Sequence, residues 1–317
     1  MSCLAFRVAF AVVLCGATSR EAPTALELCP VEYFEASMRA LEPLLPGAAR
    51  AFPNLTSYYS LSHGGNACAR VPSAQWKEST RPLLVNAGLG GTGTTFVACL
   101  AKLLGLRIVH YSVGLFGCTK GLHSGQPFLD CTQQWDKTHA QYVTDTPVAS
   151  QLYELLRTHT TAGIVLTLRD PAQWLPARLR KHATERAPDW IVESPCASPT
   201  AHTLGHADAV TDVLVYQTWA HCVATRRPWR QRTDSDSPDV ALVNLFNQKQ
   251  TQTGQTLRHF FQTHMPLFDR DTLTDKGACA GRALNGSDPG VFTRLTRTCH
   301  AYVKKGGWPR GKDAACA

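Results

Sequence analysis

Leu83-Leu84-Val85-Asn86-Ala87-Gly88-Leu89-Gly90-Gly91-Thr92-Gly93-Thr94-Thr95 is the stretch that decides the fold. Leu83-Leu84-Val85 is a continuous apolar run, the pattern of a strand buried on both faces. A glycine-rich loop follows it at once. Beyond the loop, Phe96, Leu100, Leu103 and Leu104 recur at helical spacing, so the loop opens a helix. At such a junction, unpaired backbone N–H groups and the helix dipole favour an anion. Glycines let the backbone come close to it. Gly90, Gly91, Thr92, Gly93, Thr94 and Thr95 are therefore the candidate binding residues. The plain alternative is a glycine-rich turn with no ligand.

Outward from the loop, strand and helix patterns alternate from Arg81 to about Met265. Ile108-Val109, Ile164 to Leu168 and Val240 to Leu245 read as further strands. Val148 to Arg157, Ala207 to Thr225 and a last clear helix starting at Thr256 to Thr263 lie between or after them. This alternation predicts an α/β fold of three layers, a mainly parallel sheet flanked by helices. Residues 18–80 read as an irregular extension broken by Pro23, Pro30, Pro43, Pro46, Pro53 and Pro72, with a helical patch from Glu32 to Leu45. Residues 81–288 form the expected domain. Residues 289–317 read as a loop-like basic tail, basic from Val291 to Lys312 with no acid and interrupted by Gly306, Gly307, Pro309 and Gly311.

The whole chain has 317 residues, 32 Lys+Arg against 24 Asp+Glu, and 12 Cys. Hydrophobic residues at 44% and charged residues at 18% describe a folded chain and exclude a disordered one. No apolar run reaches the 18 or so residues a membrane-spanning helix needs. Residues 1–17 read as a secretory signal, with Arg7 before an apolar run and Cys15-Gly16-Ala17 at the cleavage site; a short signal anchor is the other option. Cleavage removes Cys3 and Cys15 and leaves ten cysteines. Asn54-Leu55-Thr56 and Asn285-Gly286-Ser287 are glycosylation sequons. Together these point to the secretory pathway, to the Golgi lumen or secretion, with disulfides. Cys99, in an apolar helical pattern, reads as a buried free thiol.

The loop fits the phosphate-binding Walker A pattern except that Thr94 stands where the pattern has Lys. Without that Lys, which reaches the β- and γ-phosphates, a small-molecule kinase is disfavoured. A second segment, Ile164-Val165-Leu166-Thr167-Leu168-Arg169-Asp170-Pro171, ends a strand on Arg-Asp-Pro and is followed by Trp174. Alone it reads as a turn with a surface ion pair. A planar guanidinium at a strand end also suits bidentate phosphate recognition. The two segments together resemble the P-loop sulfotransferases, which use 3′-phosphoadenosine-5′-phosphosulfate (PAPS). The resemblance covers roughly residues 81–265. It implies a P-loop fold in which the glycine loop cradles the 5′-phosphosulfate and Arg169 holds the 3′-phosphate. Val143-Thr144-Asp145-Thr146-Pro147 stands where the family has its Lys-Thr-His-x-Pro segment. Asp145 thus takes the place of the family's general base, or it N-caps the following helix.

Two positions depart from the family. Gly91 replaces a basic residue that would stabilise charge on the bridging oxygen, and Ala177 replaces a serine that assists the 3′-phosphate. Arg178, Lys120, His123, Lys304 and Lys305 are candidates to supply the missing charge. His202 and His206 read as surface histidines, so no metal is expected. Arg226, Arg227, Arg230 and Arg232 form a basic run that is either solvated or attracts anions. The sequence thus implies a PAPS-dependent sulfotransferase acting on a hydroxyl or amine acceptor, a small molecule or glycan, with no nucleic-acid partner and no membrane span in the mature chain. The alternatives are an inactive relative that binds a phosphorylated or sulfated ligand, and a P-loop kinase.

Overall fold

The computed structural model describes residues 25–48, 52–63, 79, 81–110, 139–145, 148–149, 152–181, 206–226, 240–268, 284 and 289–306. The signal segment, the Asn285 sequon, Lys120, His123, His202, Arg227, Arg230, Arg232 and residues 307–317 lie outside them, as does the side chain of His206.

Among the described residues, five strands form one parallel sheet: β1 (Leu84–Asn86), β2 (Ile108–His110), β3 (Tyr142–Thr144), β4 (Gly163–Thr167) and β5 (Val240–Val243). Their order is β2-β3-β1-β4-β5. Successive strand residues point to opposite faces, and the core divides accordingly. Val85, Val143, Ile164 and Leu166 enter one apolar cluster. Leu84, Tyr142, Val165, Ala241 and Val243 enter the other. The expected α/β architecture, a sheet between two helical layers, is observed.

One layer holds α4 (Thr94–Leu103), α8 (Gln250–His264) and α9 (Pro289–Lys304). The opposite layer holds α2 (Val31–Leu41), α3 (Phe52–His63), α5 (Leu152–Thr158), α6 (Pro171–Lys181) and α7 (His206–Arg226), preceded by the short α1 (Ala25–Leu28). α4 is buried almost all round because it meets the sheet on one side and α9 on the other. No helix among the described residues is long and apolar enough to cross a membrane.

Three expectations change. Within the expected extension of 18–80, the described residues 25–48 and 52–63 are more helical than their prolines suggest. Phe34 of α2 stacks on Tyr59 of α3 with ring centroids 4.0 Å apart, and both are fully buried. Pro43 and Pro46 fall in short 3-10 turns and Pro53 in the first turn of α3, where a missing N–H costs nothing. Asn54 is exposed there. The C-terminal segment is not loop-like through residue 304. Val291, Phe292, Leu295 and Cys299 form the buried stripe of α9, and its basic residues occupy the remaining faces. Cys99 is not a free thiol: it is disulfide-bonded to Cys299, fastening α4 to α9. A second disulfide, Cys29–Cys222, fastens the N-terminal helices to α7. Both join positions about two hundred residues apart, at separations of 193 and 200. Two such bonds are compatible with an oxidising compartment.

Candidate functional site

β1 is the central strand, with β3 on one side and β4 on the other. The loop after β1 therefore opens between the C-terminal ends of its neighbours, the crevice in which parallel sheets hold ligands. Strand order thus brings Asp145, after β3, and Arg169, after β4, to the glycine loop.

A buried hydrogen-bond chain shapes the loop. Asn86 Oδ1 accepts from the Gly88 N–H at 2.9 Å and from the Thr167 hydroxyl at 3.0 Å. The Thr167 and Thr92 hydroxyls lie 2.8 Å apart, and Thr92 donates to the Leu89 carbonyl at 2.7 Å. A Cβ on Gly88 would run into Thr167, so only glycine fits. Gly91 and Gly93 have φ of +88° and +110°, a left-handed region that favours glycine. Gly93 caps α4, and the Phe96 and Val97 N–H groups donate to its carbonyl. Among the described residues the N–H groups of Gly91, Gly93, Thr94 and Thr95 make no backbone hydrogen bond. These are the orphan donors of a helix start, and they suit an oxyanion.

Arg169 reaches the loop from the other side. Its Nη1 donates to the Gly91 carbonyl at 3.1 Å, and its guanidinium lies 3.9 Å over the Phe246 ring. Its Nε is buried without a partner. Burial, and then the neighbouring Arg180 charge, lower its pKa. Asp170 is not part of a surface ion pair. It is buried, and its Oδ1 accepts the Ala172 N–H at 3.0 Å, capping α6 with Pro171 at the first helical position. Trp174, one turn on, donates from Nε1 to the Gly90 carbonyl at 2.8 Å.

Asp145 has φ of +69°, and its backbone carbonyl accepts the Val148 N–H at 2.6 Å. Its carboxylate turns toward the loop. Oδ2 accepts from the Thr94 hydroxyl at 3.4 Å and lies 3.4 Å from His110 Nε2. His110 Nε2 is also 3.4 Å from the Thr95 hydroxyl. The β2–β3 register sets His110 opposite Thr144, one residue before Asp145, and so places imidazole and carboxylate side by side.

Arg178 is the cation nearest Gly90. A Cβ built on Gly90 would sit 2.7 Å from Arg178 Nη1 and 2.7 Å from Asp145 Oδ1. The side chains of α6 and of the β3 end therefore both close on the loop, and Arg178 is buried there. All the sequence-predicted residues (Gly90 to Thr95, Asp145 and Arg169) come together. Arg226 does not join them: its guanidinium lies 4.1 Å over the Tyr33 ring of α2. Lys304 and Lys305 end α9 and are exposed.

Sequence reasoning missed His110, Phe246 and the bond from Trp174. His110 ends an apolar strand, but its meeting with Asp145 depends on β3 inserting between β1 and β2. Among the described residues no cluster of His, Cys, Asp and Glu has the arrangement of a metal site. No family model and no curated protein matches the chain. Fold and site define an α/β protein with an anion-suited crevice at the centre of a parallel sheet.

Proposed function

We propose that the chain is a sulfotransferase that takes the sulfuryl group of PAPS to a hydroxyl or amine acceptor, a carbohydrate being the class to test first. The observation that carries this reading is the convergence of two guanidinium groups, Arg169 and Arg178, on one loop in which, among the described residues, the Gly91, Gly93, Thr94 and Thr95 N–H groups make no backbone hydrogen bond. The residues fit the co-substrate: the orphan N–H groups suit its 5′-phosphosulfate, and the buried Nε of Arg169 suits its 3′-phosphate. When bound, PAPS supplies the activated sulfuryl group. The loop N–H groups orient it, and Arg178 brings to Gly90 the positive charge that Gly91 lacks. Asp145, with His110 beside it, takes the proton of the acceptor. Such a transfer is governed by positioning and charge.

A second reading has its own observation. Arg169 Nη1 already bonds to Gly91, and Asp145 already meets Thr94 and His110, so the same site suits a protein that binds an anionic ligand without turnover. Titration with 3′-phosphoadenosine 5′-phosphate and with ATP tests both. The enzyme reading expects preference for the former and its loss in Arg169→Ala. Binding of neither nucleotide would overturn both readings. Binding without sulfate transfer to a broad acceptor panel would favour the second.

A further inference from the structure

Away from the loop, α8 and α9 enclose a groove of about 290 Å³. Gln250, Gly254 and Arg258 run along α8 at spacings of four, one above another on a single face. Facing them across the groove are Thr293, Thr296 and Arg297 of α9, with the buried Phe292 at its base. Neither helix contains an Asp or Glu. Among the described residues no carboxylate lines the groove, although two guanidinium groups do. The Arg258 Nε is buried and has no hydrogen-bond partner. A Cβ on Gly254 would meet nothing within 4 Å, so this glycine borders open space and does not serve a close packing contact. Glycine is disfavoured inside a helix, and here it leaves the groove clear.

We infer that this groove binds a hydroxylated oxyanion of monosaccharide size. Guanidinium groups recognise a carboxylate or phosphate by paired N–H donors. Gln250 and Thr293 carry the amide and hydroxyl groups that match ring hydroxyls, and Thr296, whose own O–H donates to the Thr293 carbonyl at 2.8 Å, adds an acceptor. The volume is near the lower end for small-ligand pockets, a size that suits one sugar ring. Cys99–Cys299 holds α9 on the core, so one wall of the groove is anchored. The inference uses no residue of the glycine loop and stands apart from the sulfotransferase reading.

Calorimetric titration of the full chain with glucuronate, glucose 6-phosphate, inorganic phosphate and neutral glucose tests it. Both sugar anions are expected to bind at least about tenfold more tightly than glucose and than inorganic phosphate. Gly254→Glu places a carboxylate in the open space and should weaken both by at least about tenfold with the melting curve retained. Arg258→Gln with Arg297→Gln should do the same without filling the groove. Arg169→Ala should leave this binding intact. The inference is overturned if neither sugar anion binds, if both variants bind as the wild type does, or if inorganic phosphate binds as tightly as the sugar anions. It is also overturned if Arg169→Ala alone removes the binding, because the anion would then occupy the glycine loop.

Discussion

Gly90→Ala separates the side chains that close on the loop from the loop's own backbone. Gly90 is not among the glycines at positive φ, so alanine introduces no backbone strain. Its methyl group would lie 2.7 Å from both Arg178 Nη1 and Asp145 Oδ1, where ordinary contact begins at 3.4 Å, so each group must retreat by about 0.7 Å. Both are ends of flexible side chains, so the overpacking cost falls at the low end, about 1 kcal/mol. That corresponds to a drop in Tm of about 2–4 °C. Displacing charged groups by this much at a reacting centre costs far more in rate, up to about a hundredfold. On the proposed sulfotransferase reading, the expected result is a nearly native melting curve with sulfate transfer reduced by about 10- to 100-fold. Gly91→Ala is the control: its Cβ meets only Trp174, at 3.4 Å or beyond, but its φ of +88° makes alanine strained by about 1–2 kcal/mol. Gly90→Ala protein with wild-type turnover would refute the placement of Arg178 and Asp145 as working groups.

Other perturbations test the remaining links. Cys99→Ala with Cys299→Ala removes a cross-link spanning 200 residues and should cost about 2–5 kcal/mol, read as a lower denaturant midpoint. Burial lowers the His221 pKa from 6.5 to about 4, so the neutral form is favoured in the folded chain. Its stabilisation is complete above pH 6.5 and is lost as pH falls toward 4, by about 3 kcal/mol at most. His221→Gln should flatten that slope in urea titrations at pH 7 and pH 4.5. Asp145→Asn should lower turnover by about 10²–10⁴-fold while 3′-phosphoadenosine 5′-phosphate still binds, and unchanged turnover would remove Asp145 as the base. His110→Ala should lower turnover less and shift the pH profile if the imidazole only supports the carboxylate.

The parallel sheet was legible because Leu84-Val85, Ile164 to Leu166 and Val240 to Val243 are long or apolar enough to show their pattern. β3 was not: it is as short as β1 and β2, but Tyr142-Val143-Thr144 sets one aliphatic residue between two hydroxyl-bearing ones and shows no apolar run. Its absence from the sequence reading hid the His110–Asp145 contact, which exists only because β3 separates β1 from β2. The role of α9 was obscured by its lack of any acid beside two arginines and a lysine, and by Gly306, Gly307, Pro309 and Gly311 after it, while Val291, Phe292, Leu295 and Cys299 form a stripe visible only at helical spacing. Cys99 was misread for a related reason. Burial among apolar residues suits a free thiol as well as a disulfide, and the partner lies 200 residues away.

On the proposed sulfotransferase reading, the glycine at residue 91 and the position of Arg178 explain one another in physical terms. A basic side chain at residue 91 would have to adopt φ near +88°, at a cost of about 1–2 kcal/mol, while the Gly91 carbonyl receives Arg169. With glycine there the turn is unstrained, but the loop carries no charge of its own. Arg169 and Arg178 belong to one continuous unit, the end of β4 and the helix it feeds, and Asp170 fixes their relation by capping that helix. Trp174, between them, ties the helix to the loop through the Gly90 carbonyl. A cation delivered from α6 therefore needs no strained residue in the loop and is positioned by contacts already required to hold the helix. The exchange has a consequence: the loop's charge depends on the packing of α6. Replacing Trp174 with Phe, which deletes the N–H together with part of the buried indole, should weaken binding of 3′-phosphoadenosine 5′-phosphate at the loop in a calorimetric titration even though residue 174 carries no charge.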